Sequence, residues 1–302
     1  MIKMLFMGLD GHTFINDNSE TFTDFFDWVM TGRRIQKRKL IPTTVFIKTD
    51  YFYEVTAEGP NNNYKEILSI ETPFVLISGA SDYAPSVTFK EKYETLINKP
   101  NLLAWYSENN LSDHPKMYGL PVGLCIHNTA QQNINNEMLL EMRQYTKYFK
   151  ERSPLIMAHW RNRIRNVCGD EYNEREKLYK IVQKHPDIFF FTDEKYATKD
   201  YYQKIQEHQF IICPNGNGVD PAPRAWEAMA LKVIPIMKTN IHVADVYKDL
   251  PCIIVDEWDQ VFDTSFLIEQ QTRVENMFQT DDYLHKLSVA YWVDKIIKSS
   301  KN

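Results

Sequence analysis

A chain of 302 residues, 43% hydrophobic and 25% charged, can bury one large core or two ordinary ones, and usual domain sizes favour two. Its formal net charge of -5 gives no long-range attraction to a polyanion, which sets nucleic acid aside as a partner while leaving room for a locally positive pocket. Four cysteines, Cys125, Cys168, Cys213 and Cys252, are widely spaced without any Cys-x-x-Cys, and so read as buried thiols of a reducing compartment, not as a zinc site or a disulfide frame.

No apolar stretch is long enough for a signal peptide or a membrane span, so a cytoplasmic protein without an integral membrane segment is expected. In that setting the sequon at Asn110 carries no meaning. The first strand-like run is Lys3 to Met7. Phe22, Phe25, Phe26 and Val29 then recur at helical spacing, and the basic run Arg33, Arg34, Lys37, Arg38 and Lys39 reads as the solvated end of that helix, a patch for lipid or an acidic partner being the alternative. Further strands are expected at Thr44 to Lys48, Phe74 to Ser78, Leu102 to Tyr106 and Met117 to Val122, followed by a helix from Asn136 to Lys150. After Glu151-Arg-Ser-Pro154, a plausible linker, strands recur at Leu155 to His159, Ile188 to Phe191, Phe210 to Cys213, Val233 to Met237 and Ile253 to Val255. Tyr283, Leu284, Leu287, Tyr291 and Ile296 form a last helical pattern that is expected to return to the first half.

This alternation of short apolar runs with helices predicts an α/β protein with two facing, Rossmann-like, doubly wound domains. The expected division is an N-terminal domain over 1–150 and a C-terminal domain over 151–279, with the helix of 280–302 packing back on the first. Ligands of such sheets bind outside the carboxyl ends of the strands, so chemistry is sought in the loops there.

Phe210-Ile-Ile-Cys-Pro-Asn-Gly-Asn-Gly-Val-Asp-Pro-Ala-Pro-Arg-Ala-Trp-Glu-Ala-Met-Ala-Leu-Lys-Val-Ile-Pro-Ile-Met237 reads as buried strand, glycine loop, helix and second strand. Asn215, Gly216 and Gly218 would let backbone amides approach an anion, with Asp220, Pro221 and Pro223 suited to the helix start. Arg224 and Glu227, three apart, share a helix face. A guanidinium can pair with diphosphate oxygens in a fork, and a carboxylate can accept bonds from ribose hydroxyls. An ordinary strand-loop-helix corner with a surface Arg-Glu pair is the plainer alternative.

The order of these elements resembles the donor-site signature of exostosin-like glycosyltransferases, with a strand, a Gly-containing loop, an Arg-x-x-Glu helix and a Val-Ile-Pro strand. Tyr201 to Gln209, Leu250-Pro-Cys-Ile-Ile-Val-Asp-Glu-Trp258 and Arg175-Glu-Lys-Leu178 are similar to that family too, and His114-Pro-Lys-Met-Tyr-Gly-Leu-Pro-Val-Gly123 resembles its soluble microbial and large-virus members. The resemblance covers roughly the second half of the chain. It implies a GT-B fold with the donor cleft between the domains, a nucleotide-sugar donor, inversion at the anomeric carbon and a glycan acceptor. The expected activity is transfer from a UDP-sugar, UDP-xylose or another small pyranose, to a glycan hydroxyl. A GDP-linked fucose or mannose is the alternative donor, and a non-catalytic nucleotide-sugar-binding protein the alternative function. The chain holds no Asp-x-Asp, the pair with which metal-dependent transferases hold Mn or Mg. No metal and no cofactor beyond the donor substrate are therefore expected, and stabilisation of the leaving diphosphate falls to Gly218, the helix dipole and Arg224.

Trp160-Arg-Asn-Arg-Ile-Arg165 follows the first strand of the second half, so Arg161 and Arg163, joined by Arg175, are candidates to neutralise phosphate, against the simpler role of facing solvent. Inverting transfer needs a base, expected on an N-terminal loop. Asp82, in Ser78-Gly-Ala-Ser-Asp82-Tyr83, stands first, followed by Asp10 and His12 in Met7-Gly-Leu-Asp10-Gly-His12, with partial burial tuning the group toward neutrality. Glu108 and His114 are weaker candidates, and each of these residues could equally serve a turn. Tyr83, Trp105 and Tyr106 are candidates to stack on sugar rings, core packing being the competing role for Trp105. Thr192, Asp193 and Glu194 are possible nucleobase neighbours. A dehydrogenase would need a GxGxxG with an acid about 20 residues on, and a P-loop kinase would need GxxxxGK[ST]; neither pattern is present.

Overall fold

The computed structural model describes residues 22–32, 35–56, 59–124, 138–160, 167–169, 174–221 and 223–301. Lys3 to Met7, Asp10, His12, Arg33, Arg34, Cys125, Arg161 and Arg163 lie outside them.

Two sheets carry the fold. The first holds β1 (Trp28–Met30), β2 (Gln36–Lys37), β3 (Thr44–Lys48), β6 (Phe74–Gly79), β7 (Leu102–Ser107) and β8 (Met117–Gly119), in the order β2-β1-β3-β6-β7-β8. A separate two-stranded hairpin of β4 (Val55–Thr56) and β5 (Gly59–Pro60) lies between β3 and β6 in the chain. Among the described strands of the first sheet only β2 runs antiparallel. The second sheet is parallel throughout, with β9 (Ser153–Ala158), β10 (Phe189–Phe191), β11 (His208–Ile212), β12 (Ile234–Lys238) and β13 (Ile253–Val255) in the order β10-β9-β11-β12-β13. Helices α1 (Asn63–Leu68), α2 (Pro85–Thr88) and α3 (Lys90–Ile97) belong to the first half, and helical residues 138–144 form α4. Then come α5 (Arg175–Lys184), α6 (Thr198–Gln206), α7 (Arg224–Ala230), α8 (Ile241–Tyr247), α9 (Thr264–Thr280) and α10 (Val289–Ser299).

The side-chain period of two divides the first sheet into two cores. Leu76 and Trp105, paired across β6 and β7, face a cluster with Trp28, Ile47 and Phe52. Their neighbours Ile77 and Tyr106 face the other way, into a core that continues through Ile156, Trp226 and Ile296. α10 packs on β7 here, with the Tyr106 hydroxyl 2.8 Å from Ser299 Oγ. Gly119 closes the contact between β8 and α8, because a Cβ there would lie 2.7 Å from Val246 Cγ2. The protein is thus α/β with two helix-flanked sheets. The second is doubly wound, reversing direction between β9 and β11, whereas the described strands β1, β3, β6, β7 and β8 of the first advance one way only.

The helix expected through Phe22, Phe25, Phe26 and Val29 is instead a 3-10 turn over Phe22–Phe25 leading into strand β1. Asp27 explains the switch. Its Oδ2 accepts Thr43 N at 2.8 Å and its backbone N–H donates to Thr44 Oγ1 at 3.0 Å, tying the chain to the start of β3. Three of the basic residues lie on or after a strand instead of at a helix end and make ion pairs, Lys37 with Glu66 at 2.9 Å, Arg38 with Asp24 at 2.7 Å and Lys39 with Asp27 at 2.7 Å. Likewise the helix expected to reach Lys150 ends at residue 144, and a 3-10 turn occupies Phe149–Glu151. Among the described residues no helix is long and apolar enough to cross a membrane.

Candidate functional site

The strand order of the second sheet reverses between β9 and β11, and the carboxyl ends of strands at such a switch point are where open parallel sheets receive ligands in a crevice. From β11 the chain passes through the glycine loop to α7. The Gly216 N–H donates to Asp220 O at 3.0 Å, closing the loop on itself. Asn109, just beyond β7 in the first sheet, inserts into it: its Oδ1 accepts Val219 N at 2.9 Å and Asp220 N at 3.2 Å, while its Nδ2 donates to Ser81 O at 2.9 Å. A Cβ on Gly218 would lie 2.2 Å from Asn109 Oδ1, so this position is glycine because the first half docks there. Of the loop amides, those of residues 216, 219 and 220 already have protein partners, so an anion at this loop would have to be met by other groups as well.

Asp220 does not cap the helix either. It is buried, accepting Tyr247 OH at 2.8 Å on Oδ1, and His242 Nε2 at 2.7 Å and Val122 N at 3.3 Å on Oδ2. Three donors from two parts of the chain satisfy a buried carboxylate more fully than a single cap bond. α7 begins at Arg224 with Pro223 before it and no side-chain cap.

Cationic groups gather beside this loop. Arg175 opens α5, and its Nε donates to Asn215 O at 2.8 Å, which is where Asn215 enters the site. Burial brings the Arg175 guanidinium down to about 10, with the nearby Arg224 charge pushing the same way and Asp82 opposing. Arg224 loses by burial but is held above its ordinary value by Tyr201, Cys213 and Glu227, and its buried Nε has no hydrogen-bond partner among the described residues. Two guanidiniums close enough to repel each other are relieved by an anion that bridges them.

Glu227 lies on the same face of α7 and accepts Tyr202 OH at 3.3 Å. Burial raises its carboxyl to about 7, against the lowering influence of Arg224 and of the Tyr202 bond. A folded value above the unfolded one means that the folded chain binds the extra proton, so this stabilising contribution is complete below about 4.5 and is lost as pH climbs through about 7. The full shift corresponds to about 3 kcal/mol, reduced by partial solvent access. Glu227→Gln is therefore expected to raise the melting temperature of the unliganded protein at pH 8 while leaving it nearly unchanged at pH 4.5; equal changes at both pH values in thermal denaturation would refute the assignment.

The first sheet supplies the opposite wall. Asp82 is exposed on the loop after β6, its Oδ2 accepting Asn217 Nδ2 at 3.0 Å and its carbonyl receiving the Cys168 thiol at 3.3 Å. Ala80 and Asn109, at the ends of neighbouring strands, both take left-handed backbone conformations, with φ of 56° and 52°. Non-glycine residues held there concentrate at functional sites. The burial expected to tune Asp82 falls instead on Glu108, only 1% exposed, whose Oε2 accepts Ser81 N at 3.4 Å and whose Oε1 has no partner among the described residues. Burial, and then the charges of Asp220 and Asp82, push the Glu108 carboxyl well above the usual range, against weak backbone bonds. An acid placed directly after an apolar strand was the signal in the sequence for this residue.

Other candidates settle into structural roles. Trp105 is fully buried, donating from Nε1 to Ser78 Oγ at 2.8 Å, and Tyr106 is buried against α10, so neither offers a face to a sugar. Tyr83 makes edge contacts with Tyr53 and Phe89 at 5.9 Å each. His114 Nδ1 accepts Lys116 N within its own turn. Thr192 is buried beside Tyr196, while Asp193 and Glu194 are exposed. Among the described residues, no group of three or more His, Cys, Asp or Glu is arranged to hold a metal ion. Cys168, Cys213 and Cys252 are buried. No protein-family model and no curated protein sequence matches this chain.

Proposed function

We propose that this protein is an inverting glycosyltransferase of GT-B architecture that moves a sugar from a UDP-sugar to a glycan hydroxyl without a metal ion. The observation that carries the reading is the convergence of Arg175 and Arg224 on the crevice of the second sheet, with Glu227 beside them and Asp82 across from them. The arginines hold the diphosphate and Glu227 accepts from ribose hydroxyls, a cation-carboxylate division that suits a nucleoside diphosphate better than a simple anion. In the reaction the acceptor oxygen attacks the anomeric carbon as the bond to the β-phosphate oxygen breaks. The hydroxyl proton passes to Asp82, and the departing electron pair stays on the nucleoside diphosphate, where the guanidiniums stabilise it. Because the amides of residues 216, 219 and 220 already have protein partners, the arginines take the larger share of this stabilisation.

A thermal-shift screen against UDP, GDP, CMP and NAD tests the donor class, with UDP expected to give the largest rise and GDP redirecting the reading to a fucose or mannose donor. Sugar release from the matching donor, persisting in excess EDTA, separates an enzyme from a binding protein. Arg224→Ala is expected to weaken nucleotide binding at least tenfold, about 1.4 kcal/mol or more. Unchanged affinity by calorimetry removes Arg224 from the site.

A further inference from the structure

At the amino ends of the second sheet, opposite the crevice, a cavity of about 370 Å³ lies between the segment leading into β9, the turn before β12 and the end of α9. Lys147, Tyr148, Phe149, Arg152, Lys232 and Glu275 contribute its chemistry. Its volume is within the range of small-molecule sites.

The charges around it do not balance. Arg152 is 4% exposed and donates to carbonyls only, with Nη1 2.7 Å from Lys232 O, and Nε and Nη2 3.3 and 3.1 Å from Lys147 O. Among the described residues it has no carboxylate partner, and burial alone brings its guanidinium down to about 10. The Lys147 ammonium likewise has no partner among the described residues. Lys232 shares Asp281 with Arg143, at 3.0 and 2.5 Å, while Glu275 Oε1 accepts Gln271 Nε2 at 2.6 Å. Four cations, Arg143, Lys147, Arg152 and Lys232, thus stand against two carboxylates, Asp281 and Glu275. A cation taken out of water without a counter-charge costs free energy, and an anion entering the cavity would recover it.

Aromatic groups share the wall. Tyr148 is 82% exposed, Phe149 is partly buried, and the Arg152 guanidinium lies over the Phe149 ring at 6.0 Å. An exposed tyrosine beside unpaired cations supplies a flat apolar face next to an anion subsite.

We propose that this cavity is a second ligand site, separate from the crevice, which takes a small aryl anion: a planar apolar body on Tyr148 and Phe149 with its phosphate or carboxylate against Lys147, Arg152 and Lys232. The carbonyl bonds of Arg152 account for its place in the fold, but among the described residues its buried charge has no counter-ion, and exposed Lys147 stands beside it.

Calorimetric titration of the full chain with 1-naphthyl phosphate, and separately with inorganic phosphate, tests the site. Arg152 is left unaltered because its carbonyl bonds hold the local fold. Lys147→Glu and Tyr148→Ala alter exposed side chains instead. Naphthyl phosphate is expected to bind more tightly than inorganic phosphate, to weaken at least tenfold in Lys147→Glu and several-fold in Tyr148→Ala, and to bind Arg224→Ala like the unaltered protein. Absence of binding up to about 5 mM, a level corresponding to only about 3 kcal/mol, overturns the proposal. Affinity unmoved by either variant, or lost in Arg224→Ala, does the same by moving the ligand elsewhere or into the crevice.

Discussion

Asp82→Asn is expected to bind the nucleotide within about threefold of the unaltered protein while releasing sugar from the donor about 10² to 10⁴ times more slowly. Asparagine keeps the shape of the side chain and an acceptor for Asn217 Nδ2, and the Cys168 thiol bonds only the backbone carbonyl of residue 82. The loop should therefore stay in place, and the loss should fall on turnover alone. Asp82 is suited to the task by position: it is open to solvent on the first-sheet side, it faces the glycine loop, and the Arg175 charge is near enough to interact with it. Glu108, buried behind the same turn, faces the opposite constraint, because burial favours its neutral form. A variant that turns over at the normal rate would transfer the base to another N-terminal group, with Asp10 and His12 next in line.

Much of the scaffold was legible in the sequence because parallel strands, buried on both faces, read as continuous apolar runs. Thr44–Lys48 and Ile253–Val255 were located to the residue, and the other expected strands among the described residues shifted mainly at their ends. β1 was missed because its identity depends on distant partners. Trp28–Met30 is a strand through pairing with β2 and β3 and through the bonds of Asp27 to Thr43 and Thr44, none of which leaves a local trace. Spacing did place Arg224 and Glu227 on one face of a helix, and Arg175 at the start of another. It could not show how the glycine loop is used. Glycine permits close approach of any group, and composition does not tell a phosphate from the amide of an asparagine 109 residues earlier in the chain, as the separation of Gly218 from Asn109 shows. The burial of Glu108 was not legible for a similar reason, since it follows from packing between the halves and not from its neighbours in sequence.

The same contact yields the largest expected effect on stability. In Gly218→Ala the new methyl would lie 2.2 Å from Asn109 Oδ1, and the asparagine can retreat only by giving up Val219 N, Asp220 N and Ser81 O. The Val219 and Asp220 amides would be left buried without partners, at about 1–3 kcal/mol each, so a loss of roughly 2–6 kcal/mol is expected. Asn109→Gly removes the same bonds but relieves the left-handed backbone at φ 52°, which offsets about 1 kcal/mol of the damage. Combined, the two substitutions should cost less than the sum of the singles, because the bonds can be lost only once and the clash disappears with the side chain. Denaturant unfolding of the two single variants and the double variant measures this coupling, and strict additivity would separate Gly218 from Asn109. Nucleotide titration of the same proteins adds a second discriminant. A glycine kept for docking predicts that Gly218→Ala and Asn109→Gly weaken binding together, through the shared loop, whereas a glycine kept for phosphate predicts loss in Gly218→Ala alone.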